Sequence, residues 1–245
     1  MPCVEEQTRL SIKNILLATG YSEPSEAILS YSASLARRYG SRISLAGTVS
    51  PEVICEIIRN RQVDLVVIGA RAQKLRKFTL DSKVEDIVRT APCPVLIIGP
   101  EVTHTELAKG ALERIVYMTD FSISSLEALP YAVALAQDNE AQLTFVHVAE
   151  ETTMGPFHFG NSRSVAFRKR LESMVASRSS LPSESEFVVA EGDRAEGLVR
   201  VAATVNASLI VVSARVTPGE AFAQLRPIGS QVICRARCPV LTVRG

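Results

Sequence analysis

At 245 residues the chain has room for one large domain or two small ones, and its 47% hydrophobic content is enough to fill buried sheets. The 27 basic and 26 acidic residues leave a net charge of +1, which gives no electrostatic case for wrapping nucleic acid or coating an acidic membrane. The longest apolar runs, such as Leu65–Ile68 and Val95–Ile98, are strand-length and too short for a bilayer, and residues 1–12 carry no basic region followed by an apolar core, so a cytoplasmic location is expected.

In chain order, Ile15–Thr19 is a continuous apolar run bounded by Gly20, the pattern of a strand buried on both faces. Ser22 and Pro24 then open a helix as N-cap and first-turn residue, and Gly40 closes it. A strand over Ile43–Val49 runs through Ser50 and Pro51 straight into a helix over Glu52–Arg61. Val84, Ile87, Val88 and Ala91 form one helical stripe, Pro92 and Pro94 stop it, and Val95–Ile98 is the strand that follows. Residues 100–112, with Pro100 and several polar side chains, read as a linker.

The chain then begins again. Lys13–Gly20 (KNILLATG) matches Glu113–Asp120 (ERIVYMTD), and residues 34–46 match 134–146, both at an offset of 100. Asp64–Arg71 matches Ser208–Arg215 at an offset of 144, and the Cys-Pro-Val-Leu of 93–96 matches that of 238–241 at 145. Four blocks in the same order make the chain a duplication. It divides into an N-terminal segment 1–10, a first domain 11–99, the linker, and a second domain 113–245. The jump in offset means that the first copy lacks 44 residues present in the second, between the strand Leu143–Val148 and the helix holding Glu196 and Leu198. Those residues include an expected helix over Ala166–Ala176, striped by Phe167, Leu171, Met174 and Val175, and an expected strand over Phe187–Ala190. Alternating strands and amphipathic helices imply a parallel, doubly wound α/β sheet in each copy.

The closing phrases APCPVLIIGP (91–100) and ARCPVLTVRG (236–245), together with DLVVIGAR (64–71) and TDFSISSLEALPYAVALA (119–136), resemble the universal stress protein family as a tandem pair over residues 11–245. The resemblance implies Rossmann-like domains with strand order 3-2-1-4-5 and ligands at the carboxyl ends of the strands, where the order reverses. It also implies that the last strands of the two copies, Val95–Ile98 and Val240–Val243, pair across a dyad as an intrachain pseudo-dimer. Losing strand 3 from the first copy removes an edge and leaves a contiguous 2-1-4-5 sheet.

Family members that bind ATP resemble one another in an Asp after strand 1 and a loop of form G-x2-G-x9-G-[S/T] after strand 4, whose glycines let the backbone approach phosphate. In the first copy Gly20 replaces the Asp. Its loop opens with Gly69, but Ala72 stands at the second glycine and Asp81 at the third, followed by a retained Ser82. A carboxylate there repels phosphate. Ser82 with Glu85 reads as a capping box, which accounts for the serine without a ligand. Lys74, Arg76 and Lys77 supply positive charge in the same loop. The second copy keeps Asp120, while its loop positions are Ser213, Val216 and Arg226-Pro227, with the spacing intact and every glycine gone. Gly229-Ser230 lies three residues out of register, inside the first turn of the next helix. The candidate nucleotide-binding residues are therefore Asp120, Ser213, Arg226, Gly69 and Ser82.

No catalytic constellation is expected. His147 reads as a satisfied strand histidine, and His158 lies in a loop without an identifiable partner. The odd count of five cysteines argues against a disulfide framework, and Cys234 and Cys238 with the scattered His104, His147 and His158 do not make a metal site. The expected function is a non-enzymatic interaction module of the stress response without a cofactor. The alternative is an ATP-binding regulatory switch using the second domain. The outer edge of Arg42–Val49, bared by the truncation, is expected to be covered by Thr8–Ile12, by a second copy of the chain, or by another protein's strand.

Overall fold

The computed structural model describes residues 10–19, 26–47, 49–71, 80–103, 107, 111–149, 160–175, 185–214 and 228–244. The first copy comprises β1 (Asn14–Ala18), α1 (Glu26–Tyr39), β2 (Arg42–Ala46), α2 (Pro51–Asn60), β3 (Leu65–Gly69), α3 (Ser82–Thr90) and β4 (Val95–Ile98). The second comprises β5 (Arg114–Met118), α4 (Ile123–Asp138), β6 (Gln142–Ala149), α5 (Gly160–Val175), β7 (Glu186–Glu191), α6 (Arg194–Thr204), β8 (Leu209–Ala214), α7 (Ile228–Arg235) and β9 (Val240–Arg244).

All nine strands join one sheet in the order β2-β1-β3-β4-β9-β8-β5-β6-β7. Counted within each copy, this is 2-1-4-5 followed by 5-4-1-2-3. Every pairing is parallel except β4 with β9, which is antiparallel with Leu96 opposite Leu241. The expected junction of the two final strands is therefore present. Helices α1, α4 and α5 cover one face of the sheet, over a core containing Tyr31, Leu35, Leu129 and Phe167. Helices α2, α3, α6 and α7 cover the other, over Ile54, Ile87, Leu198 and Val232. Continuous apolar runs suit strands covered on both sides.

Local chemistry repeats with the duplication. Asp64 Oδ2 accepts from the backbone N–H groups of Lys13 (2.8 Å) and Asn14 (2.9 Å), tying the start of β1 to β3. The equivalent Ser208 accepts from the Arg114 N–H at 3.0 Å and donates to the Arg114 carbonyl at 2.8 Å, doing the same for β5 and β8. Left-handed residues recur at matched turns, Gly40 (φ 65°) with Glu140 (φ 51°) and Gln62 (φ 49°) with Asn206 (φ 50°).

Contacts near the dyad join residues to their own equivalents. Asn139 donates to the Tyr39 hydroxyl at 3.0 Å, 100 residues apart in sequence. Gly99, just beyond β4, packs against α7 so tightly that a Cβ there would lie 2.1 Å from the Ile233 carbonyl oxygen. Only glycine allows that approach.

Several expectations need correction. Ser82 does not form a capping box with Glu85. The N-cap of α3 is Asp81, whose carboxylate accepts from the Lys83 N–H at 2.8 Å, because an acid one residue earlier offers the shorter reach to the open amide. Glu85 instead accepts from Ser230 at 2.8 Å. Strand β2 stops at Ala46 rather than Val49, and β1 at Ala18. The missing flank of the first copy corresponds to α5 and β7, which run longer than expected. In the expected stripe of α5, Phe167 (4%) and Leu171 (0%) are buried. Ser22 and Pro24 lie outside the described residues.

Candidate functional site

Because β4 and β9 are antiparallel, the carboxyl ends of the two parallel halves point to opposite edges of the sheet. Gly69 and Asp120 therefore belong to two separate crevices. Gly69 is the last residue of β3, buried, and in register with Ile98. Ser82 is exposed at the first position of α3, beside the capping carboxylate of Asp81. That carboxylate takes the place an anionic phosphate would need at this helix end. Gly20, Ala72, Lys74, Arg76 and Lys77 lie outside the described residues.

In the second copy Asp120 and Ser213 stand at the ends of neighbouring strands, β5 and β8, and both are half-buried. Ser213 is in register with Val243 of β9. Arg226, Val216 and Pro227 lie outside the described residues. Gly229 and Ser230 sit in the first turn of α7, as the register implied, and Ser230 is buried.

The segment after β5 is held by its own side chains. Asp120 Oδ1 accepts from the Ser122 N–H at 3.0 Å, and Thr119 Oγ1 accepts from the Phe121 N–H at 3.0 Å. Ser122 then caps α4, accepting from the Ser125 N–H at 3.2 Å. Phe121 is held at φ 62°, an uncommon conformation for a bulky residue. These bonds give Asp120 a structural role whether or not a ligand is bound.

Sequence reasoning missed what surrounds that turn. Phe121 packs on His147 (ring centroids 4.9 Å apart) and on Phe167 of α5 (5.5 Å), and the Arg170 guanidinium lies 3.9 Å from the centre of the Phe121 ring. Phe187 of β7 continues the cluster, stacked on Phe145 at 4.9 Å. His147 Nδ1 lies 2.9 Å from the Thr119 carbonyl oxygen, which can only accept, so Nδ1 carries the proton. The histidine is satisfied, as expected, though half-buried rather than fully buried. The only sequence signal for this cluster was the clustering of phenylalanines in segments of the second copy whose partners were not yet known.

The thiols are guarded. Burial, with Asp64 nearby, pushes the Cys93 thiol up to about 12. Burial, with Glu85 nearby, pushes Cys234 up to about 11. Both are protonated at neutral pH and are not thiolate nucleophiles there. None of Cys55, Cys93, Cys234 and Cys238 is joined in a disulfide, and no group of three or more metal-ligating residues occurs among the described residues. Nor does any described helix have the length and apolarity to cross a membrane.

The model of the universal stress protein family matches residues 47–99 and 111–244. A curated relative, universal stress protein YxiE of Bacillus subtilis, is 28% identical over 145 residues, covering 54% of this chain and 98% of that protein. Among solved structures, a universal stress protein from Archaeoglobus fulgidus superposes with a TM-score of 0.69 at 17% identity, covering 96% of this chain and 99% of the other. A functionally unknown protein from Pseudomonas aeruginosa PAO1 superposes with a TM-score of 0.62 at 15% identity, covering 97% and 93%. At such identities the superpositions establish the fold, and the family match spans most of the sequence. The chain belongs to the universal stress protein family.

Proposed function

We propose that this protein serves the stress response as a binding module without catalysis of its own, and that the truncated flank of the first copy is the surface through which it binds. One contrast carries this reading. Leu143 and Phe145 of β6 are 0% exposed beside β7 and α5, whereas their equivalents Ile43 and Leu45 of β2 are 38% and 63% exposed.

The backbone supports it. The Arg42 N–H donates to the Lys13 carbonyl at 2.7 Å, and the Ala46 carbonyl accepts from the Thr19 N–H at 2.8 Å. Residues 42, 44 and 46 therefore face β1, and Ile43 and Leu45 turn their N–H and C=O groups outward, since strand residues alternate. Of the expected covering segment Thr8–Ile12, residues 8 and 9 lie outside the described residues, and residues 10–12 are engaged elsewhere. The Leu10 N–H donates to Asp138 Oδ2 of α4 at 3.2 Å, and the Ile12 side chain is buried in the core while its carbonyl accepts from the Ser41 hydroxyl at 2.6 Å. Natural sheets seldom leave an apolar edge bare, and a strand from a second copy or another protein completes it.

Light scattering on the wild-type chain and on Leu45→Glu tests the proposal. A wild-type dimer that Leu45→Glu turns into a monomer supports self-association through β2. A wild-type monomer in which Ile43 and Leu45 are protected from backbone amide exchange until residues 1–9 are deleted overturns the reading in favour of the chain's own N-terminus, and a monomer in which they exchange at the unprotected rate in whole-cell extract overturns it outright.

A further inference from the structure

The second copy holds, within the same molecule, the elements that the truncated flank lacks. There the strip beside β6 is covered by a strand and a helix together. Phe187 of β7 stands in register with Phe145 and stacks on it, and Phe167 of α5 packs edge-on against Phe187 at 5.9 Å. Leu143 and Phe145 of β6 and Leu129 of α4 are all buried. On the other face Gly197 of α6 lies so close to the strands that a Cβ there would stand 3.0 Å from Val148 of β6 and 3.6 Å from Ala190 of β7.

The equivalent positions of the first copy are apolar and open to solvent. Leu29 of α1 is 44% exposed where Leu129 is buried, and Val53 of α2 is 39% exposed where Gly197 is buried. Ile43 and Leu45 complete the patch. Their register partners on β1, Ile15 and Leu17, belong to the core under α1, so both side chains point to the α1 face. Tyr31 and Leu35 of α1 are turned towards Ala134 and Leu135 of α4, with which they share a cleft. Leu29 lies about 200° round the helix from Tyr31 and so faces away from α4, towards β2. The flank is therefore apolar on both sides of the sheet, with the larger patch on the α1 side.

Resting on the reading of β2 as a binding edge, we infer that its partner is a different protein that contributes a helix and a strand together. The helix is amphipathic and lies over Leu29, Ile43 and Leu45. The strand that follows it runs parallel to β2 and is apolar on both faces, as strands covered on both sides are. A lone strand would pair with the outward groups of Ile43 and Leu45, but Leu29 stands in the helical layer above the sheet, where a second helix reaches and a strand in the plane of β2 does not. A second copy of this chain brings no such helix. Its flank ends in α1 and β2 again, and α4, the equivalent of α1, lies mainly over β5, β8 and β9, while α5 is the helix that packs on β7. Two truncated flanks joined strand to strand would leave the strip over β2 open.

A peptide of residues 160–191, the chain's own α5 and β7, is the probe, titrated into the full-length protein. Residues 149–192, the 44 that the first copy lacks, are also spliced between residues 48 and 49, so that the segment need not fold alone. Saturable peptide binding with slowed amide exchange at Ile43 and Leu45 is expected, and the splice should slow the same amides and raise the melting temperature. Leu29→Asp, at an exposed position, and Leu45→Glu should each weaken peptide binding roughly tenfold. Protection of Ile43 and Leu45 that ignores Leu29→Asp and is matched by residues 185–191 alone overturns the inference while leaving β2 a strand-binding edge. So does a wild-type dimer that Leu45→Glu dissolves, since the occupant is then a second copy. Unprotected amides at Ile43 and Leu45 in both the peptide titration and the splice overturn it as well. Protection present before any peptide is added, and lost on deletion of residues 1–9, overturns the inference and the reading together.

Discussion

Ser230 donates its hydroxyl hydrogen to Glu85 at 2.8 Å, and the two residues occupy the same position in the two copies, 145 apart. A pseudo-dyad brings equivalents together, and because the two copies differ at this position one side is a donor and the other an acceptor. Ser230 is buried and Glu85 half-buried, so the bond is shielded from water. Ser230→Ala should cost about 1.5–3 kcal/mol in urea unfolding, the range for a hydrogen bond to a charged group. A loss below a few tenths of a kcal/mol would mean that water replaces the hydroxyl without penalty.

Gly99 is the tightest point of the same junction. A methyl group there meets a backbone oxygen at 2.1 Å, and backbone cannot rotate away as a side chain can. Gly99→Ala should destabilise the protein by roughly 2–3 kcal/mol, as overpacking does. Thermal unfolding would check it, with Gly47→Ala, where nothing lies within 4 Å, as the control.

Proline separates the two sides of β2. Leu45→Pro removes an outward N–H and should leave folding nearly intact while blocking strand addition. Ser44→Pro removes an N–H directed at β1 and should cost about 3 kcal/mol. Leu45→Pro proving the less stable of the two would show that the backbone parity is the reverse of that described.

Calorimetry should detect no ATP binding tighter than the high micromolar range, because side chains replace the glycines that would let the backbone reach phosphate. A dissociation constant near 1 µM, about −8 kcal/mol, would favour the ATP-binding switch. Asp120→Ala would then weaken binding, beyond the stability lost with its bond to the Ser122 N–H.

Alkaline stability should follow the thiols. Cys93 is raised from 9.0 to about 12 by burial, so its folded form holds the proton more tightly than the unfolded form. Its contribution is fully present below about pH 9 and is lost as pH rises toward 12. Cys93→Ala should flatten that part of the curve in equilibrium unfolding between pH 8 and 11. An unchanged slope would show that another group governs it.

The duplication and the truncated flank were legible in the sequence because each rests on local or periodic information, while the strand order came from the resemblance to the family. Apolar runs name the buried strands, Gly40 ends its helix, and the offsets of 100 and 144 locate the missing helix and strand. The switch from Ser82 to Asp81 as N-cap was not legible, since two adjacent residues both suit that role and only the backbone path chooses. Phe121 in the turn after β5, His147 of β6, Phe167 of α5 and Phe187 of β7 come from four separate segments, and no sequence period joins them. Contacts across the dyad, from Ser230 to Glu85 and from Asn139 to Tyr39, depend on how the two copies are placed against each other. The antiparallel register of Leu96 with Leu241 sets that placement, because side chains far apart in the chain meet only once the sheet has closed.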